Sequence, residues 1–276
     1  LEDVAVAGGV RLDPDTYCTA DSVGVAQRAV GGLLSVTDAV LEGRATNGFA
    51  LTRPPGHHAR PFAPMGFCLY SNVALAIRHA QAIHGVERVL VVDFDVHHGN
   101  GTQEAFYDDP SVLVVTSQQV PLWPGTGGIT ETGVGAGAGF TVNLPLLAGA
   151  ADAAVLRLYQ RVLPPLAQRF RPEVVFLSAG YDAHHLDPIG GLGLSVKGLT
   201  DLTLLVMEMA ATYADERLLV TLEGGYHTGA LAACVASAFR VLRDPTATIH
   251  DPFGAPDAEG PSLHGLADAV CAVHAL

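Results

Sequence analysis

Residues 93–100 read DFDVHHGN, which sets Asp93, Asp95 and His97 at alternating positions. Alternate side chains of an extended chain share one face. Burying a carboxylate pair is costly unless a cation or hydrogen-bond donors compensate it. Two carboxylates and an imidazole are a normal nitrogen–oxygen ligand set for zinc or a similar divalent ion. With Asp95 and His97 as two ligands, a third must come from elsewhere, and Asp182 in GYDAHH is the best candidate. Three protein ligands leave positions for water and substrate, as a catalytic site requires. Residues 53–61, RPPGHHARP, add two adjacent histidines, His57 and His58, behind a stiff Pro-Pro-Gly turn. Attack of a metal-activated water on a polarised carbonyl needs a proton acceptor, a donor to the leaving group and an oxyanion stabiliser. His57 and His58 can supply the first two, and Tyr226 in LEGGYH the third. His57 or His58 as metal ligands is the alternative, although the Asp-rich set completes a site without them.

These residues follow continuous apolar runs. RVLVVDFD (88–95), VLVVT (112–116), EVVFLSA (173–179), RLLVTL (217–222) and, more weakly, GFALT (48–52) predict strands buried on both faces. Helices are expected at about 21–42, 71–84, 150–169, 195–214 and 228–242 from their 3.6-residue periodicity, with Asp152 as a capping residue for the third. Strand–helix alternation predicts a doubly wound, three-layer α/β/α domain with a mainly parallel sheet. Sites on such sheets form outside the carboxyl ends of the strands. Four predicted strand ends therefore deliver His, Asp and Tyr to one rim. The glycine-rich stretches at 124–139 and 187–193 lack the Lys-Ser/Thr of a P-loop, and GVGAGAG has no strand directly before it. Both are expected as loops rather than nucleotide cradles.

The 276 residues are 49% hydrophobic and 16% charged, which favours a large buried core. A net charge of -13 argues against direct nucleic-acid or anionic-membrane binding. No apolar run is long enough to span a membrane, and the acidic start LEDVAVAGGV does not resemble a signal peptide. The four cysteines form no CxxC pair, so a reducing, cytoplasmic setting is expected. Richness in Gly, Ala and Val points to a GC-rich bacterial genome. Nothing in the sequence decides the oligomeric state.

In order along the chain, RPPGHHA, MGFCLYSNVALA, VLVVDFDVHHGNGTQEAFYDDPSVL, PGTGGITETG, SAGYDAHHLDPIGG and LVTLEGGYH resemble the histone deacetylase and acetylpolyamine amidohydrolase superfamily. The resemblance covers about residues 24–243, and HHGNG and SAGYDAH are similar to its class II-type and bacterial members. It implies an arginase–deacetylase fold, with a parallel sheet of about eight strands between helical layers. It implies Zn²⁺, with Fe²⁺ as the alternative, on Asp95, His97 and Asp182. His57 and His58 would flank the water that the metal activates. Asp93 would orient His57 and Asn100 would orient His58; a neutral partner should leave His58 easier to deprotonate. Tyr226 would bind the acetyl oxygen. Gly66, Phe67 and Trp123 would line an acyl-lysine tunnel, with the two aromatic rings sandwiching the aliphatic chain. The main chain near Asp93, Asp95, His97, Thr116 and Ser117 resembles a structural K⁺ site, and a second would lie near Phe106, Asp109, Val112 and Phe140.

Three departures from the family pattern matter. Polyamine-selective members tend to carry an acid in the DPxG loop, where this chain has Ile189. That tilts the expected substrate toward acetylated lysine on proteins, with small acylated amines as the alternative. TSQQ stands where SLHQ is common, so an altered loop is expected beside the K⁺ site. The family's first strands and first active-site loop have no counterpart before Leu1, and the acid that grips the substrate backbone has only Asp13 and Asp15 as neighbours. The expected organisation is thus one deacetylase domain over 1–276 without that N-terminal portion. A wrapping tail would run from about 244 and end in a short helix. A non-catalytic domain that binds acylated partners is the reading from another class; the intact His57, His58 and Tyr226 argue against it.

Overall fold

The computed structural model describes residues 9–256 and 260–276. The opening LEDVAVAG lies outside them. A hairpin of β1 (Val10–Arg11) and β2 (Tyr17–Cys18) leads into α1 (Ser22–Leu41) and β3 (Asn47–Ala50). Next come α2 (Asn72–His84), β4 (Val89–Asp93), the short α3 (Asn100–Ala105), β5 (Val112–Val120) and β6 (Thr141–Leu147). The chain continues through α4 (Asp152–Phe170), β7 (Val174–Ala179), α5 (Val196–Tyr213), β8 (Leu218–Leu222), α6 (Thr228–Arg243) and α7 (His264–His274).

Among the described residues, six strands form one parallel sheet in the order β3-β8-β7-β4-β5-β6. This is the expected α/β architecture with fewer strands in the sheet than the resemblance implies. Helices α1 and α2 cover one face through Leu33, Val40, Val73 and Ile77. Helices α4 to α7 cover the other through Val155, Leu158, Val162, Leu199, Val206 and Val270. Strand residues 89 to 92 are wholly buried and alternate between these two cores, which explains their unbroken apolar run. Residues 244–256 and 260–263 carry no helix or strand, and α7 then packs Ala267, Val270 and Cys271 into the larger core.

Several expectations change. β6 carries Asn143 and Pro145, which interrupt its apolar run and hid it as a strand. Pro145 is tolerated because β6 is an edge strand. TSQQ is not a loop; β5 continues through it to Val120. The extension is possible because the side-chain amides find partners, Gln118 Nε2 donating to the Gly127 carbonyl and Gln119 Oε1 accepting from Gly191 N. Asp152 does not cap α4. It is the first helical residue, and its carboxylate instead accepts from Ser195 N at 2.8 Å and Ser195 Oγ, fixing the residue that caps α5. All four cysteines are free and buried. No helix among the described residues is long and apolar enough to cross a membrane.

Candidate active site

Register sets the site. Asp93 ends β4 level with Thr116 of β5 and Ser178 of β7, and Ala179 lies level with Leu222 of β8. The segments that leave these strand ends, 94–98, 180–184 and 223–227, therefore emerge side by side. His97 Nδ1 lies 3.3 Å from Asp95 Oδ1 and 3.2 Å from Asp182 Oδ2. Asp95, His97 and Asp182 each aim one ligand atom within 4.8 Å of the others, and both carboxylates are only 1% exposed. A Cβ on Gly180 would overlap the Asp95 carboxylate, and one on Gly224 would overlap those of Asp182 and Asp95. Glycine is thus required where the backbone closes around the acids.

Two carboxylates buried this closely need positive charge beside them. Burial and the nearby Asp95 charge push Asp182 up to about 7. Burial also disfavours the Asp95 charge, but His57 and His97 hold that carboxyl well below its usual range. Burial works against a charge on His97, yet hydrogen bonds to Asp182 and Asp95 carry it up to about 10. A proton on His97 Nδ1 thus stands between two buried carboxylates, at the point where a cation would serve all three donors. The set of two carboxylate oxygens and one imidazole nitrogen fits Zn²⁺ or Fe²⁺.

The tandem histidines lie beside this group with ring centroids 3.9 Å apart and planes at 41°. His57 Nδ1 donates to Asp93 Oδ2 at 3.0 Å, and its Nε2 stands 3.8 Å from Asp95 Oδ2. His58 Nδ1 lies 2.9 Å from Asn100 Oδ1, while Asn100 Nδ2 donates to Met65 Sδ. That orientation makes His58 Nδ1 the donor and leaves its Nε2 as the acceptor. Burial opposes a charge on His57, but Asp95 and Asp93 raise its pKa well above the ordinary value. Burial and the charge on His57 hold His58 well below it. Neighbours in sequence, the two rings are thus shifted in opposite directions.

A cavity of about 230 Å³ opens onto these groups. Gly66, Phe67, Trp123, Ile189 and Tyr226 line it together with buried Pro55, and exposed Asp15 also borders it. Trp123 stands edge-on to His58 at 4.7 Å, and Phe67 packs edge-on to Tyr226 at 5.9 Å. Gly66 has φ +56°, and a Cβ there would strike Trp123 and His58. Asp13 is turned inward, accepting from Thr16 and Gly66 N, so of the two acids only Asp15 reaches the cavity. Burial, with the Asp95 and Asp182 charges, raises the Tyr226 phenol far above its usual pKa, keeping its hydroxyl a donor.

Not every reactive residue from the strand ends faces this cavity. His98 turns away to Thr126 Oγ1 and Gln103 Oε1. His184 accepts from Leu186 N, His185 Nε2 donates to the Gly254 carbonyl, and His227 caps α6. At the positions likened to K⁺ sites, the Tyr159 hydroxyl lies 2.7 Å from Ser117 Oγ and 3.3 Å from the Asp93 carbonyl, and Thr116 Oγ1 donates to Gln118. In the second group, the carbonyls of Phe106, Asp109 and Phe140 each accept a main-chain N–H.

Two acids that sequence reasoning passed over hold the site together. Glu223, 0% exposed, accepts from Gly56 N at 2.7 Å and His57 N at 3.1 Å through Oε2, and from Ser178 Oγ through Oε1. Burial pushes it up to about 7. Its signal was available, since it ends the apolar run LLVTL just as Asp93 ends VLVV. Asp187 accepts from Tyr226 N at 2.7 Å and His227 N at 3.0 Å through Oδ2, and from Ile189 N at 3.2 Å through Oδ1.

The histone deacetylase domain model matches residues 2–242. The chain is 42% identical over 232 residues to histone deacetylase 14, chloroplastic, of Arabidopsis thaliana, covering 82% of this chain and 55% of that protein. It is 38% identical over 248 residues to a histone deacetylase-like amidohydrolase of Pseudomonas aeruginosa, covering 90% of this chain and 65% of that one. The crystal structure of the HDA15 HD domain superposes with a TM-score of 0.88 at 34% identity, over 99% of this chain and 75% of that domain's chain. The chain thus spans about half the length of the plant relative. With its parallel sheet of arginase–deacetylase type and its family motifs in order, the chain belongs to the histone deacetylase family.

Proposed function

We propose that the protein is a metal-dependent deacetylase that hydrolyses the acetyl amide of acetyl-lysine side chains. One observation carries this reading: the donors of Asp95, His97 and Asp182 converge on a cavity lined also by both tandem histidines and Tyr226 and by the half-exposed rings of Phe67 and Trp123. Asp95 Oδ1, His97 Nδ1 and Asp182 Oδ2 would hold a Zn²⁺ or Fe²⁺ ion, which when bound lowers the pKa of a water and polarises a carbonyl. His58 Nε2, kept neutral, accepts the proton of the attacking water. His57, hydrogen-bonded through Nδ1 to Asp93 with Nε2 facing the site, would offer a proton to the departing amine. The Tyr226 hydroxyl donates to the oxygen on which charge develops. Phe67 and Trp123 exclude water from the aliphatic chain. A K⁺ ion among the main chain at 93–97 and 116–117 belongs to the same proposal, with the potassium content of the purified protein as its check.

A second reading, hydrolysis of acetylpolyamines or other small N-acyl amines, is favoured by exposed Asp15 bordering the cavity, which could pair with an ammonium group. Turnover of an acetyl-lysine peptide against N-acetylputrescine, with metal analysis of the same samples, separates the two. Tyr226→Phe is expected to keep the metal and lose about 10²-fold or more in kcat, the usual effect of removing one oxyanion donor. Wild-type turnover in that variant would remove the tyrosine from the mechanism. Failure to cleave any acyl amine despite bound metal would favour a domain that only binds acylated partners.

A further inference from the structure

Among the described residues, a second group brings three metal-ligating atoms within 4.8 Å of one another: Asp38, His79 and His84. Asp38 lies in the last turn of α1, while His79 and His84 lie on α2, the latter as its final residue. His79 Nε2 is 2.6 Å and His84 Nε2 2.7 Å from the same oxygen, Asp38 Oδ1. Five residues apart, the two histidines do not share a helical face as an i, i+4 pair does. They reach the carboxylate from different sides, with ring planes at 71° and centroids 5.7 Å apart. The side chains are partly buried, at 33%, 24% and 14% exposure, so the donors are held in place yet open to solvent on one side.

We propose that Asp38, His79 and His84 form a second, independent binding site for a divalent transition ion such as Zn²⁺, pinning α1 to α2. Two imidazole nitrogens and one carboxylate oxygen are a usual donor set for such ions, and the solvent-facing side leaves room for water as the fourth ligand. Zinc bonds of about 2.0–2.1 Å in tetrahedral array need donors roughly 3.3 Å apart, so the present 2.6–2.7 Å spacing must open by only about 0.7 Å. Partly buried side chains with one side open to solvent reach that by small torsional changes. The C-terminal ends of α1 and α2 both lie close to the cluster, and helix C-termini favour cations. α1 runs into β3 and α2 into β4, so the cluster sits toward the amino ends of the strands, across the sheet from Asp95, His97 and Asp182. Neither site shares a ligand with the other.

The test is Zn²⁺ uptake by the metal-stripped chain, measured as bound zinc per protein after equilibrium dialysis. The wild type is expected to hold two ions, and His84→Gln, His79→Gln and Asp182→Asn one each. The double variant Asp182→Asn with His84→Gln should hold none. Two separate histidine substitutions keep the test sound if one of them unfolds the chain. Zinc content in both histidine variants equal to that of the wild type, or in the double variant equal to that of Asp182→Asn alone, would overturn the proposal.

Discussion

Replacing Glu223 with alanine removes the acceptor that fixes the backbone of the tandem-histidine loop. Oε2 takes two buried donors, Gly56 N and His57 N. Each buried N–H left without a partner costs about 1–3 kcal/mol, so Glu223→Ala should lose about 2–6 kcal/mol before any cavity cost. Glu223→Gln keeps the shape. Its amide oxygen can sit in the Oε2 position and accept both N–H groups, while its NH₂ donates to Ser178 Oγ, whose hydroxyl rotates to accept. Because burial already holds Glu223 at about 7, a neutral group there is close to the native state near neutral pH. Glu223→Gln should therefore cost about 1 kcal/mol or less. Denaturant unfolding at fixed metal concentration measures both, provided the m-value is unchanged. Deacetylation should follow the same order, with Glu223→Ala losing about 10²-fold as His57 shifts. Equal destabilisation of the two variants would show that charge rather than N–H satisfaction is what the site needs. A stable Glu223→Ala protein would refute the reasoning altogether.

Ile189→Glu places a carboxylate at the cavity mouth and should raise N-acetylputrescine turnover relative to acetyl-lysine peptide, with the ratio of kcat/KM values as the measure. Gly224→Ala drives a methyl group into the Asp182 and Asp95 carboxylates, so it should lower bound metal per chain even where circular dichroism shows the fold retained. Burial and the Arg169 guanidinium lower the pKa of His274, so its neutral form is favoured in the folded state. Its contribution to stability is complete above the ordinary value of 6.5 and is lost as pH falls through the lowered folded value, because there the unfolded chain binds the extra proton. His274→Gln should flatten that part of the acid-side decline in unfolding free energy; an unchanged slope would remove His274 as a source.

The strands that carry the chemistry were legible because burial on both faces leaves an unbroken apolar run that ends abruptly in acids and histidines. β6 was not, since its edge position admits Pro145 and its Asn143 serves a polar network with Gln103, Gln118 and the Glu131 carbonyl. α4 was legible although Pro164 and Pro165 lie inside it, because Val155, Leu158, Val162 and Leu166 keep the helical period. Alternation put Asp93, Asp95 and His97 on one face, but only three-dimensional register could show that His98 and His184 turn elsewhere. Glu223 closes an apolar run as Asp93 does and so could have been singled out, but its partners and those of Asp187 are main-chain donors, which leave no mark in a sequence.

The two oxygens of Asp187 tie the mouth of the cavity to its chemistry, since one holds the backbone of Ile189 and the other that of Tyr226. Gate and oxyanion donor are thus hung from a single hinge pin. In directed evolution, exchanging the side chain at 189 can alter which acyl amines enter while leaving that pin in place. Insertions or deletions in the DPIGG loop would swing Tyr226 along with the gate, so broadened substrate range reached by that route should come at the expense of turnover.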